Sequence, residues 1–302
     1  MCYGLQNDLS MRIYDSVRTN TSTPLYIAGA NCPMSGLISS VQNYSQNGVP
    51  PEHLVFAMPW FGFDYRCHNK STLPSLCKLQ QYQSACQQGC VSSSSIEVDY
   101  GQILQILQQP RYHCPFGVQY EHDSASAVLR YVDMLDGSHH ELWFDNAASL
   151  AVKYAALRDL GVRGISSWNT ASVNYTGSDG DAAVMWDTLA VFNGPKKLDT
   201  LPTSSSDAEN HASGAADGMP ACPPKCPPCP CNNTELCKPI TKVYRKEVFA
   251  FHWEMKTKPG LWRNYNWSVI TTIAVFGNLD PDLLCHAHAH GARVSILNNG
   301  NE

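Results

Sequence analysis

Charge is scarce in this 302-residue chain. Asp, Glu, Lys and Arg together make up 16% of it, and their balance is −5. No basic stripe runs through the sequence, which excludes the electrostatic footprint of a nucleic-acid partner. Long apolar runs are also missing. None approaches the roughly 20 residues that a membrane-spanning helix needs, so no membrane partner is expected. The opening Met1-Cys2-Tyr3-Gly4-Leu5-Gln6-Asn7-Asp8 has no basic start, apolar stretch or small-residue cleavage site, and so does not read as a secretory leader.

Hydrophobic residues, at 43%, are abundant enough for a buried core and argue against a disordered chain. The length allows one large domain or two small ones. Cysteine is dense, with thirteen in all, which points to an oxidising compartment. Sequons of the Asn-x-Ser/Thr type at Asn20, Asn43, Asn69, Asn174, Asn232 and Asn266 point the same way. Secretory origin and a start without a leader conflict. The expectation that reconciles them is a native N-terminus upstream of Met1.

Residues 1–197 alternate between strand-like and helix-like patterns. His53-Leu54-Val55-Phe56-Ala57-Met58-Pro59-Trp60 is a short apolar run suited to a buried parallel strand. Leu150, Val152, Tyr154, Ala155, Leu157 and Leu160 recur at helical spacing, and Gly161 closes that helix. Val162 to Trp168 then reads as a strand. Between Cys67 and Cys114 the chain is polar and carries five cysteines (Cys67, Cys77, Cys86, Cys90 and Cys114), the pattern of a long stapled loop with one thiol left over.

Residues 198–228 change character to small, polar and proline-rich, with Pro223-Pro224 and Pro227-Pro228 stiffening the chain. They form a Ser/Pro/Cys-rich linker. Beyond it the strand–helix rhythm resumes. Strands are expected at Glu247–Phe251, Ile270–Gly277 and Ala292–Leu297, with a helix from Asp280 as N-cap, through Pro281 in its first turn, to His290 and the closing Gly291. Cys226-Pro-Pro-Cys229 has the spacing of a zinc-ligand pair, and His286 and His290 share a helix face that suits a metal. An oxidising compartment favours disulfides for the cysteines, and a solvated helix end is the plainer account of the histidines. No metal or cofactor is expected.

Several ordered stretches are similar to the chitobiase branch of glycoside hydrolase family 18, whose members are (β/α)₈ barrels. In residues 1–197, His53 to Cys67 resembles the family's seventh strand and cysteine loop. Leu142-Trp143-Phe144-Asp145-Asn146 resembles its Trp-Tyr-Asp-Asn motif, and Arg163 to Asn169 its eighth strand. Met1-Cys2-Tyr3 sits where the family has a Met-x-Tyr-Asp sixth strand, with Gly4 in place of the Asp. In residues 229–302, Cys229-Pro230-Cys231, Glu235 to Ile240, Glu247 to Phe251, Asn266 to Thr272 and His290 to Val294 resemble the mature start and strands one to three.

The resemblance therefore implies an α/β fold of incomplete (β/α)₈ TIM-barrel segments, strands 6–8 followed by strands 1–3. Residues 1–197 would be the C-terminal part of one barrel, and residues 229–302 the N-terminal part of a second. The favoured arrangement is the junction of two tandem domains. The other is a circular permutant, which would expose sheet edges without its missing strands.

The resemblance also implies a partner and a chemistry. The family cleaves β-1,4 linkages of N-acetylglucosamine oligosaccharides by substrate assistance, an exception to the two-carboxylate scheme. The sugar's own acetamido oxygen attacks the anomeric carbon, while a glutamic acid of raised pKa protonates the leaving oxygen. The residues carried over are Tyr3 holding the acetamido group, Trp168 flooring the sugar subsite, Asp145 hydrogen-bonding sugar or a neighbour, and Trp60 lining the cleft. The family's Asp-x-x-Asp-x-Asp-x-Glu strand is absent. The nearest run, Ser178-Asp179-Gly180-Asp181, lacks its spacing and its Glu, so no catalytic residue is assigned and the chain alone is expected to be inactive. A lysosomal or extracellular location follows from the same resemblance.

The residues also admit readings without sugar. Trp168 and Trp60 suit plain packing, Asp145 suits the cap of a helix starting near Ala147, and Tyr3 suits a disordered terminus. At the level of the whole chain the alternatives are a non-catalytic carbohydrate-binding protein and a misassembled product.

Overall fold

The computed structural model describes residues 11–14, 25–67, 77, 82–83, 91–92, 95–176, 181–194, 229–253 and 259–297. Tyr3, the linker at 198–228 and Cys222 and Cys226 lie outside the described residues.

The fold is mixed α/β, built on two sheets that share the corner at Trp60. Helix α1 (Met34–Gln46) leads into strand β1 (Val55–Pro59), which is buried along most of its length. One residue later the chain enters β2 (Phe61–Arg66) and leaves the parallel sheet for an antiparallel one. Trp60 makes both joints. Its N–H donates to the Trp168 carbonyl at 2.7 Å, and its own carbonyl accepts from the Tyr100 N–H at 3.2 Å.

The antiparallel sheet contains β2, β3 (Ser95–Asp99), β4 (Tyr112–His113), β5 (Val118–Glu121), β6 (Ser126–Asp133) and β7 (Ser138–Phe144), in the order β3-β2-β7-β6-β4 with β5 also on β6. This corrects the strand–helix rhythm read across residues 1–197 and the long stapled loop read between Cys67 and Cys114. Cys67 does bond Cys77. Past it, however, Asp99 and Gln102 form a reciprocal capping box that starts α2 (Tyr100–Gln108), whose Tyr100 and Ile103 are buried. The polar composition of the stretch before it hid that helix, although Leu104, Ile106 and Leu107 also pack against the core. Cys114 carries a free thiol.

The chain returns through α3 (Ala147–Asp159) to β8 (Gly164–Trp168) and then α4 (Asp181–Thr188). After the linker come β9 (Glu247–Trp253), β10 (Thr272–Phe276), α5 (Pro281–Ala289) and β11 (Arg293–Leu297). These elements match the strands and helix expected there, including the Asp280 cap, whose side chain accepts from the Asp282 N–H at 2.9 Å.

All five strands of the second sheet run parallel, in the order β11-β10-β9-β8-β1. The linker therefore separates β8 and β9 in sequence but not in space. Gly164 pairs with Glu247, and a side chain at Gly164 would lie 2.5 Å from the Glu247 carbonyl. Glycine is what lets these two strands meet. The larger of two hydrophobic clusters draws on both sides of residues 198–228, taking Phe56, Met58, Ile165 and Trp186 from before them and Val248, Ile273 and Leu283 from after them.

Two disulfides staple the stretch that precedes β9, Cys229–Cys237 and Cys231–Cys285. The second closes a loop of 54 residues. A loop of that size removes about 4 kcal/mol of unfolded-state entropy on the chain-entropy account. Replacing Cys231 and Cys285 together by serine is expected to lower the unfolding free energy by about 2–4 kcal/mol in urea titration, and an unchanged midpoint would show that helix α5 holds its place without the bridge.

Candidate functional site

Parallel strands place their working residues at their C-terminal ends, and four aromatic side chains meet there. Trp168 ends β8, Phe251 and Trp253 end β9, and Phe276 ends β10. The pairing of Trp253 with Phe276 and the period of two along β9 put Phe251, Trp253 and Phe276 on one face. Trp168 lies 5.0 Å from Phe251 and 5.2 Å from Phe276 between ring centres, and Trp253 stacks on Phe276 at 5.8 Å with 20° between planes. Trp253 is 53% exposed, and Trp168, Phe251 and Phe276 are part-buried, so the group presents an open aromatic surface.

Beneath it Thr170 fixes the chain that leaves β8. Its Oγ1 is 2.7 Å from the Phe251 carbonyl oxygen and 2.7 Å from the Tyr265 hydroxyl, which is itself 2.7 Å from His252 Nδ1. Sequence reasoning found Trp168 but treated Phe251 and Phe276 only as strand formers and passed over Trp253. Their shared signal is an aromatic residue at or near the last position of each strand.

The other expected site residues stand elsewhere. Trp60 is fully buried and packs edge-on against Trp186 at 5.1 Å. It lines no open cleft here, because the sheet corner it forms needs it inside; the packing reading fits its position. Asp145 does not cap α3. Asn146 does, its side chain accepting from the Ser149 N–H at 2.9 Å. Asp145 is instead 1% exposed and accepts from the Lys153 ammonium at 2.6 Å and the Ser149 hydroxyl at 2.7 Å. Lys153, also fully buried, donates in addition to Ser126 Oγ at 3.0 Å, tying α3 to β6.

The buried carboxylates among the described residues all have partners. Besides Asp145, Asp133 bonds Arg111, Glu141 bonds Arg130, and Glu247 bonds Arg293 and Arg163. Asp64 accepts from the Tyr131 hydroxyl at 2.8 Å and contacts His140 Nδ1 at 2.9 Å, while His140 Nε2 lies 2.8 Å from Ser138 Oγ. That order resembles nucleophile, base and acid. The Ser138 hydroxyl, however, donates to Asp136 at 2.5 Å, which turns its proton away from the imidazole. The network ties β2, β6 and β7 together.

The metal spacings resolve in the same way. The sulfurs of Cys229, Cys231 and Cys237 lie close together, but each belongs to a disulfide and is no thiolate ligand. The His286 and His290 rings lie 4.4 Å apart, tilted by 35°; His286 also packs on Trp262 and Trp267, while His290 stays exposed at the helix end. Burial, with His290 and Arg263 nearby, pushes the His286 pKa down.

No family model matches the chain. Among curated proteins, a probable di-N-acetylchitobiase of Dictyostelium discoideum is 31% identical over 144 residues, which is 47% of this chain and 38% of that protein. The Bos taurus di-N-acetylchitobiase is 50% identical over 68 residues, 22% of this chain and 37% of that protein. The chain is a relative of the di-N-acetylchitobiases. The chain spans about two fifths of the length of the chitobiases it matches. A solved Group IV chitinase of Ostrinia furnacalis superposes with a TM-score of 0.43 at 20% identity, over 56% of this chain and 46% of that one.

In this chitobiase relative the Asp145–Lys153 pair is the most exacting polar feature near a family-like motif. Removing one partner of a buried pair leaves the other charge unpaired, at a cost of about 3–5 kcal/mol. Lys153→Met is expected to lose stability on that scale, and Lys153→Met with Asp145→Leu to recover much of it, as read by urea unfolding. Burial holds the Lys153 pKa below its ordinary value even against the pull of Asp145. The unfolded chain therefore binds more protons than the folded one as pH approaches the ordinary lysine range from below, and stability should rise with pH there. The double variant should lose that slope.

Proposed function

We propose that this chain binds N-acetylglucosamine oligosaccharides on the aromatic surface of Trp168, Phe251, Trp253 and Phe276 without hydrolysing them. The observation that carries the reading is the position of Trp168. It sits at the C-terminal end of a parallel strand, packed on Phe251 and Phe276, where the family resemblance puts a sugar floor. Flat aromatic faces suit the apolar face of a pyranose ring and let its hydroxyls stay in water. Relatives named as chitobiases support the substrate class. The missing Asp-x-x-Asp-x-Asp-x-Glu run supports binding without turnover, since a positioned acid contributes about 10²–10⁴-fold.

The reading extends to the fold. The five parallel strands would be strands seven, eight, one, two and three of the family barrel, a run that crosses its seam. The order β1-β8-β9-β10-β11 supports this, because strands eight and one are neighbours in a closed barrel. The shared sheet and core also support a permuted connection between residues 1–197 and 229–302 over two tandem barrels. A lysosomal or extracellular location is supported by the disulfides Cys67–Cys77, Cys229–Cys237 and Cys231–Cys285. Among the described residues no helix is long and apolar enough to cross a membrane.

Titration with chitobiose and chitotetraose, followed by tryptophan fluorescence and calorimetry, tests the reading. Trp168→Ala is expected to weaken binding about tenfold or more, the equivalent of roughly 1.4 kcal/mol, and Trp253→Ala to weaken it as well. Release of N-acetylglucosamine by the pure chain, abolished in Trp168→Ala, would overturn the absence of catalysis. No binding of either sugar at millimolar concentration would overturn the sugar reading itself.

A further inference from the structure

We propose that the chain has a second site, a basic cavity at the opposite end of the parallel sheet, which binds a clustered oxyanion such as a pyrophosphate or a phosphate or sulfate ester on a sugar. The cavity has a volume of about 880 Å³, in the range of small-molecule sites. It opens where strands begin. Val162, Lys246 and Thr271 on its wall directly precede or lead into β8, β9 and β10. The aromatic surface lies where the same strands end, so the two sites do not share residues.

Four permanent cations line the cavity, Arg158, Lys242, Arg245 and Lys246, with His290 beside them. No carboxylate lines it among the described residues. In a chain of net charge −5, four cations converging on one concavity, of which Arg158 is offset by an acid partner, Asp159, concentrate positive potential there, and a concave wall of low dielectric strengthens it.

The cations fall into two kinds. Lys246 and Arg158 are held in place. The Lys246 ammonium donates to the carbonyls of Phe192 at 2.8 Å and Gly194 at 3.3 Å, and the Arg158 guanidinium donates to the Val191 carbonyl at 3.3 Å and to Asp159 at 2.9 Å. Lys242 and Arg245 are exposed, and Lys242 rests 4.8 Å over the Tyr244 ring. Fixed cations at the base and exposed ones at the rim suit an anion with more than one charged group. The first charge is met by pre-organised donors, and the second is gripped by side chains that move in. The volume leaves room for a sugar ring beside the anionic group, and Trp267 and Tyr244 on the wall offer it apolar contact.

Lys242→Ala with Arg245→Ala is the variant to use, because both side chains are exposed and their loss leaves the core intact. Calorimetric titration of the full chain at low ionic strength, with inorganic pyrophosphate and with a 6-sulfated N-acetylglucosamine disaccharide, reads both sources of the anion. Binding of either probe is expected, with affinity at least tenfold lower in the double variant, unchanged in Trp168→Ala, and unchanged in Lys238→Ala, which removes one exposed cation outside the cavity. Tighter binding of the sulfated sugar than of the unsulfated disaccharide, surviving in Trp168→Ala, identifies an ester. Binding of pyrophosphate alone identifies a free anion. Equal affinity in the double variant, an equal loss in Lys238→Ala, or no binding of either probe at 10 mM overturns the proposal. The sugar reading of Trp168 stands or falls separately.

Discussion

The pairing of β8 with β9 is the constraint on which the rest depends. It joins two stretches that the sequence separates by a linker, and it does so through backbone contact so close that Gly164 has no room for a side chain against Glu247. The seam is secured at its start by polar groups. The Glu247 N–H donates to the Arg163 carbonyl at 2.9 Å, and the Glu247 carboxylate takes Arg293 at 2.5 Å, Arg163 at 3.5 Å and the Thr271 hydroxyl at 2.7 Å. A buried carboxylate with this many donors is stable only if every partner strand is in place. β8, β9, β10 and β11 are therefore fixed relative to one another at one end. The aromatic surface at the other end inherits its spacing from that register.

The sequence showed the parallel strands well and the antiparallel sheet poorly, for a physical reason. Buried parallel strands such as Thr272–Phe276 are continuous apolar runs between turn signals, and those are visible without knowing the neighbours. Strands β4, β5 and β7 carry many polar residues, including His139, His140 and Glu141. Their burial depends on partners far along the chain, Arg130 for Glu141 and Asp64 for His140. No local pattern announces such pairs. Helix α2 was missed for a related reason, since its cap at Asp99 sits at the end of a stretch that composition marks as a loop.

The candidate site divides in the same way. Trp168 was legible because a motif surrounds it. Phe251, Trp253 and Phe276 were not, because only the sheet register brings them beside it. Trp60 and Asp145 show the structural side of a motif. Both belong to motif-like stretches, yet one turns a corner between sheets and the other neutralises a buried ammonium. A side chain that resembles a binding residue in one dimension can be needed for construction in three. The basic cavity left no motif at all, since Arg158 comes from before the linker and Lys242, Arg245 and Lys246 from after it.

The disulfides have a consequence for how this protein would age. Cys67–Cys77 lies wholly before the linker, and Cys229–Cys237 and Cys231–Cys285 wholly after it. None of these three bonds crosses from one half to the other. The β8–β9 ladder and the common core do. A protease that cuts once within residues 198–228 would leave a two-chain particle that sediments and elutes as the intact one does. Refolding of such a cut chain would require two complementary pieces to find each other, a step that an unbroken chain keeps at high effective concentration.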